Sequence, residues 1–404
     1  MMTLPDHFEF ICPTRTASGL KALEHLPGDL EAMNARKPLI ITDKRSTEKG
    51  LVDQIAKAFR TSGRTLGVYD GAGPAADMDA VKHLYHLYLD RGFDAILALG
   101  RGATVDLAKV VNIAVSGRPE DLARCQGIDG LHHPLNPLAV IPVAGGTARE
   151  CAGEVAFGDL YYRSRYLMPD LVTIDPRMII EEDPLQLVPT AVAALTFAVE
   201  AYAVPQGNPL VESYAQLTIG FVFDHLLDEV RQTVAQKKWA ARLSEGFSLK
   251  KGRLALVNAA CMAGYVHANT PSGLAARLGL AIGQRSAVDP ALAMGIVLPG
   301  VMEEQVNRRG WDLSRLLRPM VGLDRFAATP GAQRFAAAMA KIRHLFNELF
   351  VLSEAAIPRT LEDAGVTRDA LAAVAEAVAG ADPESARACR TILEHAFIGQ
   401  PVAP

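Results

Sequence analysis

Five cysteines in 404 residues, at Cys12, Cys125, Cys151, Cys261 and Cys389, are few, odd in number and never spaced as C-x-x-C. That excludes a disulfide framework or a thiolate zinc site and is the usage expected of a reducing compartment. Excess positive charge is missing as well. The formal net charge is -4, which gives no electrostatic case for a nucleic acid or an anionic membrane as partner. No run of 18 uninterrupted apolar residues occurs, so nothing reads as a membrane span. The opening "MMTLPDHFEF" has neither the basic segment nor the long apolar core of a secretory leader, and a cytoplasmic location is the default expectation. Internal repeats and low-complexity tracts are absent too; the Ala-rich "DALAAVAEAVAGAD" reads as a surface helix and turn.

Half of the residues are apolar and 21% are charged, as in an ordinary globular protein with room for two domains. The first part of the chain alternates short apolar bursts with helix-period segments. "PLIIT" (38–42), "TLGVYD" (65–70), "AILALG" (95–100), "LAVIPV" (138–143) and "LVTID" (171–175) read as buried strands of a parallel sheet. Helices are expected between them over 47–61, 77–91 and 104–116. From about Pro184 onward the periodicity is helical throughout, over 185–203, 209–236, 253–268, 288–308, 331–351 and 368–380. The reading is therefore an α/β dinucleotide-binding (Rossmann-like) domain over 1–182 followed by an all-α domain over 183–404.

Three stretches invite chemistry. "LALGRGATVDLAK" (97–109) is a strand, a Gly-containing turn and a helix start, where backbone N–H groups and a positive helix end face an anion. "VIPVAGGTARE" (140–150) is a second strand entering a Gly-rich turn. Asp43 directly follows "PLIIT"; it suits the ribose 2′-hydroxyl of NAD, and it equally suits a cap on the next turn. "TAVAALTFAVEAY" (190–202) is apolar on every face before Glu200, the pattern of a buried helix.

Taken in order, these segments resemble the iron-containing (group III) alcohol dehydrogenases. "GRGATVDLAK" is similar to their G-G-G-S-x-x-D-x-A-K loop and "VIPVAGGTARE" to I-P-T-T-A-G-T-G-S-E. "PTRTASGLKALEHL", "IITDKRSTEKGL", "VYDGAGPAADMDAV", "MPDLVTIDPRM", "ALTFAVEAYAVPQGNPLVESYA" and "MGIVLPGVME" match further family segments. The resemblance implies a dehydroquinate-synthase-like fold with NAD as cofactor. Asp43, Gly100, Arg101, Gly102, Asp106, Lys109, Gly146 and Thr147 then fall at the cofactor-binding positions. It also implies a small-molecule substrate and leaves a homodimer open.

The departures are as informative as the matches. Where the family places an Asp and a His at i, i+4 on its metal-binding helix, this chain has Ala193 and Phe197; where it places two further histidines, this chain has Ala276 and Pro290. No metal is expected on that set. The loop has changed too, with Arg101 for a glycine, Ala103 for a serine, and Val143 and Ala144 for two hydroxyl residues. Without the metal, another charge must stabilise the developing alkoxide. The candidates are His267 as general acid/base, Arg277 as the oxyanion-stabilising charge and Glu154 as a residue that orients the imidazole or binds substrate. Each also has a structural reading: a satisfied core histidine, an ion pair of Arg277 with Glu200, a solvated carboxylate. Arg149 and Arg277 bias the substrate toward an anion. The expected function is metal-independent, NAD(P)-dependent oxidation or reduction of a small alcohol or carbonyl. A catalytically silent homologue serving as a ligand-binding or assembly subunit, and a lyase or isomerase in the same cleft, remain the alternatives.

Overall fold

The structure, a computed structural model, describes residues 5–60, 62–143, 148, 150–179, 186–205, 207–239 and 247–402. Contacts divide the chain into two compact units, Ile11–Glu182 and, taken together, Met1–Phe10 with Asp183–Pro404. The sequence reading ran the first domain from residue 1. Instead, the opening segment associates with the helices: Phe10 stacks on Tyr214 with ring centroids 5.7 Å apart, and the Asn208 side-chain amide donates to the Glu9 carbonyl at 2.9 Å.

The first unit is built on strands β1 (Arg15–Ser18), β2 (Pro38–Thr42), β3 (Gly67–Tyr69), β4 (Ala95–Gly100), β5 (Gly127–Ile128), β6 (Leu138–Pro142), β7 (Glu154–Phe157), β8 (Leu160–Arg163) and β9 (Leu171–Ile174). Six of them form one sheet in the order β1-β9-β6-β4-β2-β3, with every neighbouring pair parallel. β2, β4, β6 and β9 are buried along their whole length, which is why each reads as a continuous apolar burst rather than an alternation. Leu30, Ile40, Ile55, Leu97, Ile141 and Leu171 belong to one core on this sheet. The expected helix over 47–61 is two helices, Lys44–Glu48 and Leu51–Phe59, because Gly50 turns the backbone to φ 74° between them. β5, β8 and β7 form a second, three-stranded sheet that the sequence reading missed.

The strand order fixes where a ligand fits. After β2 the chain crosses to β3 on one side; after β4 it crosses to β6 on the other. The loops leaving the carboxyl ends of neighbouring β2 and β4 therefore part company and open a crevice at the topological switch point.

Among the described residues the second unit contains helices and no strand. Leu187–Ala203, Pro209–Trp239, Phe247–Ala268, Pro290–Arg309 and Arg334–Leu352 share one apolar core that includes Val192, Leu195, Ile219, Leu298 and Phe346. Four further helices, Leu274–Gly283, Leu317–Val321, Leu323–Ala328 and Pro383–Ile398, were not anticipated. Among the described residues no helix is long and apolar enough to cross a membrane.

Candidate functional site

At the switch point of the α/β unit, Asp43 leaves β2 and Gly100, Arg101 and Gly102 leave β4. Thr42 fastens the two strand ends by donating its hydroxyl to the Leu99 carbonyl at 2.8 Å. Gly102 sits at φ 48° and ψ -116°, a conformation that L side chains rarely adopt, and no side chain caps the helix Ala103–Ser116 that it starts. That uncapped end leaves backbone N–H groups and a positive dipole for an external anion. Next door, the Asp43 carboxylate accepts from the Ser46 backbone N–H at 2.8 Å and from the Ser46 hydroxyl at 3.2 Å. It is a helix cap, as one of its two sequence readings had it; half exposed, it retains lone pairs for a further donor.

Asp106 and Lys109 lie one turn apart on the inner side of the same helix, both buried. The Lys109 ammonium is wholly enclosed and donates to the carbonyls of Ala152 at 2.6 Å and Glu154 at 3.4 Å. Burial pulls its pKa down to about 8, against the opposing charges of Asp106 and Glu150. Lys109 is thus a strut that ties the start of β7 to the dinucleotide-type helix. β7 in turn carries Glu154, whose carboxylate accepts from the Tyr161 hydroxyl at 3.1 Å across the β7–β8 hairpin. Burial first, and then the neighbouring Glu154 charge, raises the Tyr161 pKa. Gly146 and Thr147, with Arg149, lie outside the described residues.

The helical unit brings His267 and Phe197 together. His267, buried near the end of the helix Phe247–Ala268, packs its ring on Phe197 with centroids 4.5 Å apart and planes inclined by 30°. One turn beyond Phe197, Glu200 reaches the start of the helix Leu274–Gly283 and accepts the backbone N–H groups of Ala275 at 2.6 Å and Ala276 at 3.3 Å. Gly273, the N-cap, offers no side-chain oxygen, so this carboxylate serves as the missing cap. The fit requires glycine: a Cβ on Gly273 would lie 2.1 Å from the Glu200 carboxyl carbon. Burial pushes the Glu200 pKa up to about 7, against the two N–H groups and the charges of Arg277 and His267. Sequence reasoning had considered Glu200 only as an ion-pair partner for Arg277. The available signal was "PSGLAAR", a helix start with no capping side chain, which calls for an acceptor from elsewhere.

Arg277 itself is exposed and donates to the Val378 carbonyl at 3.4 Å. Its charge reaches Glu200 through space, while the hydrogen bonds to that carboxylate come from the backbone. The sequence resemblance assigns the family's metal to the positions of Ala193, Phe197, Ala276 and Pro290. Methyl, phenyl and pyrrolidine groups present no lone pair, so these residues do not fit a divalent cation. Among the described residues, no group of three His, Cys, Asp or Glu side chains could hold a metal ion.

Comparison with known proteins follows the same lines. The chain is similar to long-chain-alcohol dehydrogenase 1 of Geobacillus thermodenitrificans (strain NG80-2), at 25% identity over 411 residues and 98% of each chain. It is similar to the NAD-dependent methanol dehydrogenase of Bacillus methanolicus, at 23% identity over 265 residues, covering 62% of this chain and 68% of that one. A crystal structure of 1,3-propanediol oxidoreductase superimposes with a TM-score of 0.81 over 97% of this chain and 100% of that one, at 22% identity. The N-terminal profile of the iron-containing alcohol dehydrogenases matches residues 13–176, and the family's C-terminal profile matches residues 187–392. With both parts matched in order along nearly the whole chain, this protein belongs to the iron-containing alcohol dehydrogenase family.

Proposed function

We propose that the protein is an NAD(H)-dependent oxidoreductase that interconverts a small alcohol and its carbonyl compound, and that it does so without a metal ion. The observation that carries the reading is the switch-point crevice, with an uncapped helix start after β4 beside an acidic strand end after β2. NAD(H), when bound there, supplies or accepts the hydride.

Asp43 holds the adenosine ribose through its remaining lone pairs, and the N–H groups at Ala103–Ser116 hold the pyrophosphate, with Arg101 adding a guanidinium in place of the family's glycine. Asp106, Gly100 and Gly102 shape this loop and Lys109 braces it from below; Gly146 and Thr147 are assigned to the same cofactor by the sequence resemblance. His267, its ring packed on Phe197, gives a proton to the substrate oxygen in reduction and takes it back in oxidation. That proton does the task which a Lewis acid performs in the metal-bearing relatives. Glu200 and Arg277 set the electrostatic field at His267. Glu154, steadied by Tyr161, binds the substrate's hydroxyl groups, and Arg149 favours an anionic substituent.

Fluorescence titration with NADH tests the reading. Saturable binding is expected, weakened about tenfold or more in Asp43→Ala through loss of the charge-assisted hydrogen bonds. No binding at millimolar NADH contradicts the redox reading and favours a catalytically silent homologue. His267→Ala is expected to keep NADH affinity while turnover falls by about a hundredfold or more, the usual weight of a general acid.

A further inference from the structure

A cavity of about 250 Å³ lies within the helical unit, walled by the helices Pro290–Arg309, Arg334–Leu352 and Pro383–Ile398. It shares no residue with the site described above. Its polar wall carries Arg343, Arg359, Thr360 and His395 beside the amides of Asn347 and Gln400, and among the described residues no acidic side chain lines it.

Both guanidinium groups are fixed in advance by carboxylates that do not line the cavity. Arg343 makes a two-point pair with Glu303, each N–O distance 2.8 Å, and the Val402 backbone N–H donates to the same carboxylate at 2.8 Å. Arg359 uses only its Nε, toward Asp363 at 3.2 Å, and lies 4.3 Å over the Phe350 ring. Its two terminal nitrogens keep their protons for another acceptor. The Thr360 oxygen accepts from the Asp363 backbone N–H at 2.9 Å, which leaves its own proton to give.

His395 lines the cavity as well, while its Nδ1 atom, without a hydrogen-bond partner among the described residues, is itself wrapped by protein. Ile296, Phe346 and Ala396 supply an apolar part of the wall. Pocket size limits the ligand to few heavy atoms, because the cavity is smaller than the roughly 300 Å³ at which drug-sized sites begin.

We propose that this cavity is a second small-molecule site, which binds a short carboxylic acid with its carboxylate on Arg359 and Thr360 and its carbon body on Ile296 and Phe346. A planar carboxylate matches a guanidinium fork, and a short alkyl chain matches the apolar wall. Neither inorganic phosphate nor a neutral alcohol satisfies both.

Calorimetric titration of the intact chain with butyrate tests this, with inorganic phosphate as the comparison probe. Saturable one-site binding of butyrate is expected, together with at least about tenfold weaker binding by phosphate, which lacks the apolar body. Arg359→Gln removes the charged donors and Asn347→Trp narrows the exposed rim of the cavity; each is expected to weaken butyrate about tenfold or more while the unfolding midpoint holds. Absence of saturable heat with butyrate, equal affinity for phosphate, or unchanged butyrate binding in both variants would overturn the proposal.

Discussion

Glu200 illustrates how much a single side chain decides. A carboxylate normally titrates near 4.5, and burial holds this one up near 7. The folded state therefore keeps its proton more tightly than the unfolded chain does. Between about pH 4.5 and about pH 7 the unfolded carboxylate ionises while the folded one resists, so this group's contribution to stability declines as pH rises and levels off above the folded value. Urea unfolding at about pH 5 and about pH 8 is expected to show a loss on the order of 2 kcal/mol in the native chain beyond that in Glu200→Gln. Equal pH dependence in the two proteins would mean that the carboxylate is well solvated. Gly273 provides a complementary test. Gly273→Ala places a methyl group 2.1 Å from the Glu200 carboxyl carbon, so Glu200 must leave its cap. A destabilisation of about 1–3 kcal/mol in urea unfolding is expected, the range for a forced overlap in a packed site. The sequence showed the uncapped helix start in "PSGLAAR" but not its acceptor, because Glu200 is separated from the helix it caps by more than seventy positions in the chain.

At the scale of elements, legibility followed burial. β2, β4, β6 and β9 were readable because a strand covered on both faces has nothing polar to interrupt it. β7 and β8 escaped notice because they are four residues each and only partly covered. The helix Pro383–Ile398 did carry a signal that was not used: Asp382 caps it, accepting from the N–H groups of Glu384 and Ser385, and Pro383 occupies its first position. The candidate cofactor loop was legible in outline from its glycines, and the geometry explains the one that matters most. Gly102, at φ 48° and ψ -116°, holds a backbone conformation that strains any L side chain placed there. Gly102→Ala is expected to cost about 1–2 kcal/mol of stability and to weaken NADH along with it. A variant that keeps full NADH affinity would show that the helix start after β4 does not hold the pyrophosphate. His267 and Phe197 were singled out separately, but their ring contact was not foreseen, because no sequence rule pairs residues on two different helices.

For the molecule as a whole, the family assignment and the altered metal positions bear on different questions. The two profile matches establish descent and fold. The proposal of metal-free chemistry rests on Ala193, Phe197, Ala276 and Pro290, four side chains without a donor atom at the positions that the sequence resemblance assigns to the metal. On the proposed reading a side chain transfers the proton at the substrate oxygen, and His267 beside Phe197 is the group we assign to it. The decisive measurement is NADH oxidation with a panel of short-chain aldehydes and ketones, run on protein that has been stripped with a strong chelator and then assayed for iron and zinc. The account predicts turnover that is unchanged by stripping, at a metal content far below one ion per chain. Activity that disappears on stripping and returns with added iron or zinc would contradict it.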